Sequence, residues 1–243
     1  MHAGRTSEAP DTLMLHCSLA RHEALLPLAR AAELEALLPD LLGHGRSPDW
    51  DGQDDYHSAN IAALLPLIDR PMHVLGHSFG GTLALRLAVE HPERVSRLTL
   101  IEPVFFAAAR GTPAFEDHLS LFAPIYDATE AGDLMQAAQL FHAAYGAGRW
   151  SDLKPRAQGE FAARMPLVTA SAPAIQEDVH DLLPRLDRIT VPVTLIRGAK
   201  SQPVVVEIHA RLQRVIPQAV DHAITGAGHM VPLTHVRETA GLI

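Results

Sequence analysis

The chain is poor in cysteine, in basic charge and in long apolar runs. Cys17 is the only cysteine among 243 residues, which excludes an internal disulfide or a cysteine-rich zinc site and favours a reducing compartment. With 20 basic against 28 acidic residues, the net charge is −8 and offers no positive field to nucleic acid or anionic lipid. No apolar stretch approaches the roughly 20 residues that span a bilayer, and no signal-peptide core appears. We expect a soluble cytoplasmic protein without nucleic-acid partners or a membrane span.

Short apolar runs alternate with helical patterns at both ends of the chain. Strands are expected at residues 12–15, 72–75, 95–101, 191–196 and 219–224. This alternation predicts an α/β fold with a mainly parallel, doubly wound sheet. Between residues 104 and 185 it lapses, leaving Ala-rich helical stretches around 115–125, 134–145 and 174–183. We therefore predict a core domain of residues 1–103 and 186–243, with an inserted helical cap or lid of residues 104–185.

Residues 76–81, with the sequence GHSFGG, join an apolar strand to a helical pattern. A turn of this kind is so tight that the residues beside the serine must be small, and it holds the serine at a strained backbone angle with its hydroxyl exposed. Gly76 and Gly80 meet that steric demand. We predict that Ser78 is a nucleophile. A hydroxyl also needs a base at neutral pH, and His229, in a Gly-rich loop after the last expected strand, is the best candidate.

Five separated motifs resemble those of the α/β-hydrolase family, and they occur in the family's order. They are LHCS at 15–18, PDLLGHGRS at 39–47, GHSFGG at 76–81, IEP at 101–103 and GAGHM at 226–230. Together they cover nearly the whole chain. The resemblance implies a mainly parallel sheet, catalytic residues on loops at its carboxyl edge, and a lid made by the insertion. The usual His-Gly after the first strand is here His16-Cys17, which retains a small residue.

The resemblance also implies the chain order serine, acid, histidine, which supports His229 as the base. In most relatives the acid follows the strand at 191–196, where this chain has Lys200. A lysine would oppose the imidazolium rather than stabilise it. Some relatives instead carry the acid one strand after the nucleophile, and Glu102 occupies that point, so we predict Glu102 as the acid. A dyad of Ser78 and His229 is the alternative.

The family's oxyanion hole takes one backbone N–H from the residue after the nucleophile and one from the first-strand loop. Here these residues are Phe79 and Ser18. His16 and His77 are expected to orient loops through hydrogen bonds. The substrate pocket is expected to include Cys17, Phe105, Phe106 and Met230.

These features predict a serine hydrolase that needs neither cofactor nor metal and cleaves small or medium carboxylic esters through an acyl-enzyme. Its expected partner is a small-molecule ester, and a homo-oligomer is left open. Cleavage of carbon–carbon bonds, lactones or amides, and acyl transfer, use the same triad in relatives and remain alternatives. Lys200 also motivates a catalytically weak relative that only binds a ligand. Dehalogenase and epoxide-hydrolase chemistry is disfavoured, because both need aspartate at position 78.

Overall fold

Seven strands form one sheet in the computed structural model, which describes residues 1–243. The strands are β1 (Ala3–Arg5), β2 (Thr12–Leu15), β3 (Ala36–Pro39), β4 (Met72–His77), β5 (Val95–Ile101), β6 (Val193–Gly198) and β7 (Ala219–Ile224). Their order is β1-β3-β2-β4-β5-β6-β7, and every neighbouring pair is parallel except β1 with β3. The predicted α/β fold with a mainly parallel sheet is confirmed.

Eleven α-helices accompany the sheet. They are α1 (Leu26–Ala31), α2 (Tyr56–Leu64), α3 (Phe79–Glu90), α4 (Pro113–Glu130), α5 (Leu134–Tyr145), α6 (Pro155–Ala163), α7 (Met165–Ala170), α8 (Ala172–Gln176), α9 (Pro203–Val215), α10 (Val231–Thr234) and α11 (Val236–Ala240). Helices α4 to α8 lie between β5 and β6, so the expected helical insertion is present. Its exact limits at 104 and 185, and its separation as a domain, stay predictions. None of the helices has both the length and the apolarity needed to cross a membrane.

The sheet has a buried cluster on each face, because successive strand residues point to opposite sides. Val74 packs into a core of 48 buried residues that also contains Leu83 of α3. Its neighbour Leu75 packs into a second cluster of 12 buried residues, together with Leu28 of α1 and Val231 of α10. Strands buried on both faces are the reason that the sequence shows continuous apolar runs rather than alternation with polar residues.

The helix expected over residues 174–183 is present only in its first part, and its extension to residue 183 is wrong. Helix α8 ends at Gln176, and Asp178 then adopts a positive φ of 49°. The Asp178 carboxylate accepts the backbone N–H groups of Leu182, at 2.8 Å, and Leu183, at 3.0 Å. A side chain that satisfies nearby backbone donors in this way offers the chain an alternative to continued helix.

Candidate active site

Ser78 lies at the sharp turn between β4 and α3. Its backbone angles are φ 56° and ψ −119°. Residues other than glycine rarely adopt a positive φ. A Cβ on Gly76 would overlap the backbone of Gly80, and a Cβ on Gly80 would overlap the carbonyl of Leu15. In this geometry only glycine fits at both positions without a backbone shift, which is the steric demand that the sequence pattern predicts.

Three side chains that are distant in sequence form one hydrogen-bonded row. His229, on the loop after β7, places Nε2 2.9 Å from the Oγ of Ser78. Its Nδ1 lies 3.0 Å from Oε2 of Glu102, the first residue after β5. Each of the three is at most 9% exposed. The structure thus brings together the three residues predicted from sequence, in an arrangement that can move a proton away from the serine hydroxyl.

The loop after β6 holds the Glu102 carboxylate from the side opposite His229. Oε1 of Glu102 accepts the Gly198 backbone N–H at 2.6 Å and the hydroxyl hydrogen of Ser201. Burial tends to raise the pKa of this carboxyl, but the hydrogen bonds from His229, Ser201 and Gly198 outweigh it and hold the pKa below its ordinary value. Lys200 is exposed. Ser201 was not anticipated, since no motif marks a residue that supports the acid from another strand.

Two buried histidines orient the neighbouring loops, as expected. His77 Nε2 donates to the carbonyl oxygen of His229 at 2.9 Å. His16 Nε2 accepts the backbone N–H of Leu41 at 3.0 Å. Burial is the main cause that lowers the pKa of each imidazole to about 3. Both rings are therefore neutral at physiological pH and serve as fixed hydrogen-bonding groups.

The predicted oxyanion donors are two backbone N–H groups beside Ser78. Phe79 is the first residue of α3, so its N–H lacks an acceptor within the helix. In the loop after β2, Leu19 donates its N–H to His44 Nε2 at 3.0 Å, whereas the N–H of Ser18 has no acceptor in the chain. These two donors remain available to a ligand.

A cavity of about 420 Å³ opens above Ser78 and His229. Cys17 and Met230 line it, as the sequence predicts. A second, small cavity of about 20 Å³ adjoins it, and Phe106 lines that one. Phe105 differs from the expectation, because it is fully buried in the core and lines neither cavity. Adjacent residues after β5 thus point in different directions.

The inserted helices contribute Tyr145, which the sequence did not single out. Its ring lies 4.7 Å from the imidazole of His229, at 81° to it, and it lines both cavities. Its hydroxyl lies 3.3 Å from Nδ1 of His118, inside the insertion. An aromatic residue at the end of an Ala-rich helix gives no signal of such a role, since only the docking of α5 brings it to His229.

Two arginines and two glutamates line the large cavity, namely Arg21, Glu23, Glu160 and Arg164. Arg21 Nε lies 3.3 Å from the Glu23 carboxylate. Arg164 donates to the backbone carbonyls of Gly43, at 3.0 Å, and Glu160, at 2.8 Å. Glu160 is paired with Arg156, whose Nε lies 2.8 Å from the carboxylate, so Arg164 has no carboxylate partner at this cavity.

The mainly parallel sheet, with a serine at the turn from β4 to α3, defines the class of an α/β hydrolase. Residues 14–236 match the family described as alpha/beta hydrolase fold, and the chain belongs to that family.

Relatives of this family differ in chemistry. The chain is 30% identical over 245 residues to Lipase LipV of Mycobacterium tuberculosis, covering 93% of this chain and 85% of LipV. It is also 30% identical over 227 residues to 2-hydroxymuconate semialdehyde hydrolase of Pseudomonas putida. This match covers 85% of this chain and 74% of that hydrolase. The chain also resembles the crystal structure of the enol-lactonase from Burkholderia xenovorans LB400, with a TM-score of 0.75 and 19% sequence identity. The match covers 99% of this chain and 93% of the enol-lactonase chain. This last likeness concerns the fold alone.

Proposed function

We propose that the protein is a serine hydrolase that cleaves small or medium carboxylic esters. Ser78 is the nucleophile, His229 the general base and then acid, and Glu102 the carboxylate that orients His229. The hydrogen-bonded row from Ser78 through His229 to Glu102, at the floor of a cavity, carries this proposal. The similarity to LipV supports the choice of an ester.

The reaction proceeds through an acyl-enzyme. Ser78 Oγ attacks the carbonyl carbon while His229 Nε2 takes its proton, which gives a tetrahedral oxyanion. The backbone N–H groups of Ser18 and Phe79 receive that oxyanion. His229 then protonates the leaving alkoxide, the alcohol departs, and the acyl group remains on Ser78. Water attacks this ester with His229 as base, the acid departs, and the proton returns to Ser78. No step requires a metal or a cofactor.

The charges at the large cavity bear on whether the substrate carries free carboxylates. A carboxylate needs an unmatched cation to offset its desolvation. Arg21 is paired with Glu23, whereas Arg164 donates to two backbone carbonyls and faces no carboxylate partner, since Glu160 is paired with Arg156. Arg164 therefore keeps carbon–carbon hydrolysis of a muconate derivative, which is a carboxylate, as the alternative. Lactone or amide cleavage and acyl transfer use the same three residues.

A fluorophosphonate probe together with p-nitrophenyl acetate tests the proposal. We expect the probe to label the folded protein and the ester to be hydrolysed, and we expect Ser78→Ala to abolish both, because the attacking oxygen is gone. Ser120→Ala is the matched control, since Ser120 is exposed on α4 and donates only to the Glu116 carbonyl. Folded wild-type protein that is neither labelled nor active would favour the ligand-binding alternative.

A further inference from the structure

The two cavities at Ser78 are very unequal in size. They share five lining residues, namely Ser18, Ser78, Phe141, Tyr145 and His229, so they adjoin at the nucleophile. We call the cavity of about 420 Å³ the large arm and the cavity of about 20 Å³ the small arm. Roughly 10–15 Å³ of cavity volume holds one water molecule. The small arm therefore has room for a group of one or two carbons.

The small arm is also apolar. Its floor comes from Val104 and Phe106, which follow β5, and its roof from Val168 and Ile175 of α7 and α8. The one further polar side chain among its lining residues is Ser171, whose hydroxyl donates to the Val168 carbonyl at 2.7 Å. No charged side chain apart from the site histidine faces this space, so it suits a hydrocarbon group rather than a carboxylate or an amine.

The large arm differs from the small arm both in size and in the polarity of its lining. Its volume lies within the range of small-molecule sites, and four charged side chains line it, namely Arg21, Glu23, Glu160 and Arg164. An ester carbonyl held at Ser78 has two substituents, which leave the carbonyl carbon in different directions. An orientation in which one substituent enters the small arm leaves the other to extend into the large arm.

We propose that the substrate is an asymmetric ester, in which one side carries no more than one or two carbons and the other side is long. This inference rests on the proposed function and deepens it. The short side is either a methyl or ethyl alcohol or an acetyl group, and the small arm is the specificity-determining element. Val168 and Ile175, neither of which lines the large arm, set its depth.

Three isomeric esters test this arrangement: methyl heptanoate, hexyl acetate and butyl butanoate. They have the same molecular formula and nearly the same hydrophobicity, so they differ in where the carbonyl lies along the chain. We expect butyl butanoate to have the lowest kcat/KM, about tenfold to hundredfold below the better of the other two, because each methylene that does not fit costs roughly tenfold or more. Whichever of the other two is preferred identifies the short side as alcohol or acyl group.

Widening the small arm should remove the discrimination. In Ile175→Ala or Val168→Ala, we expect kcat/KM for butyl butanoate to rise about tenfold relative to the preferred isomer. Val168→Ala, which removes less side-chain volume, serves if Ile175→Ala does not fold. Leu233→Ala is the matched control, since Leu233 lines only the large arm, and it should leave butyl butanoate the poorest of the three.

Failure of this inference can be told apart from failure of the proposed function. If Ser78 is labelled by a fluorophosphonate but butyl butanoate is hydrolysed as well as the better of the two asymmetric isomers, the inference is wrong and the hydrolase stands. If the labelled enzyme hydrolyses none of the three esters, the short-ester assignment is likewise overturned. If Ser78 is neither labelled nor active, the proposed function itself fails.

Discussion

Glu102 is the residue on which the acid assignment depends. It is fully buried, it lies at φ 51°, and both of its carboxylate oxygens are engaged, one by His229 and one by Gly198 and Ser201. A buried carboxylate with this many donors is held in a single orientation. The loop after β6, which carries no acid, therefore acts on the row through Gly198 and Ser201.

Glu102→Gln should lower kcat by about 10²-fold to 10⁴-fold, because a neutral amide neither fixes the imidazole tautomer nor stabilises the imidazolium. Ser201→Ala should lower kcat less, about tenfold, since it removes one hydrogen bond to a charged group. Steady-state kinetics with p-nitrophenyl acetate would measure both. Lys200→Ala is the control for Ser201→Ala. The Lys200 side chain is exposed, and its backbone N–H, which the substitution keeps, donates to the Ala227 carbonyl. Wild-type kcat in Glu102→Gln would favour the Ser78–His229 dyad.

At the scale of residues, the sequence was informative where the chain itself makes the geometry. Ser78 is recognisable because a strand, a tight turn and a helix follow one another without a break. Glu102 and His229 follow strand ends, and the carboxyl ends of parallel strands meet at one edge of the sheet. Tyr145 and Ser201 could not be predicted in this way, since their positions depend on how α5 and the loop after β6 pack in three dimensions.

The turn between β4 and α3 depends on glycine within a helix. Gly80 belongs to α3, and the backbone of β2 passes too close to it for any side chain. Gly159 belongs to α6, has an ordinary φ, and has no atom within 4 Å of where its Cβ would lie. The same substitution at these two helical glycines should therefore have opposite effects.

Gly80→Ala should destabilise the protein by about 1–3 kcal/mol through steric overlap and should lower kcat, because the backbone must shift beside Ser78. Gly159→Ala should stabilise the protein by about 0.5–1 kcal/mol, because alanine is the better helix former. Urea denaturation and p-nitrophenyl acetate turnover would measure both variants. A stable and fully active Gly80→Ala would mean that the contact with Leu15 is looser than the structure shows.

Among the elements, strands and amphipathic helices were predictable because they bury continuous apolar surface. β5 and β7 begin and end where expected, as does α5. β1 escaped prediction because none of its three residues is fully buried, so the local sequence has no apolar pattern of a strand. Its strand conformation depends on the antiparallel pairing with β3. The break after α8 escaped prediction because Asp178 caps a turn within otherwise helical composition.

At the scale of the whole molecule, seven histidines whose pKa is lowered by burial make folding sensitive to acid. Burial is the first cause in each case. It lowers the pKa of His16 and His77 to about 3 and that of His44, His73 and His118 to about 4, and it also lowers the pKa of His57 and His142. In the unfolded chain a histidine titrates near 6.5. Below about pH 6.5 the unfolded state therefore binds protons that the folded state does not.

The free energy of unfolding should accordingly fall as the pH is lowered from about 6.5 to about 5, and each of these histidines adds up to about 1.4 kcal/mol per pH unit to that slope. The sign follows from the proton count, since acid favours whichever state binds more protons. The window lies above the range in which unfolded carboxylates titrate. Urea denaturation at several pH values would measure the slope. His118→Gln, which removes one such group from the contact with Phe106, should reduce the slope by about one proton. An unchanged slope in that variant would mean that His118 is charged within the folded insertion, contrary to its burial beside Phe106 and Tyr145.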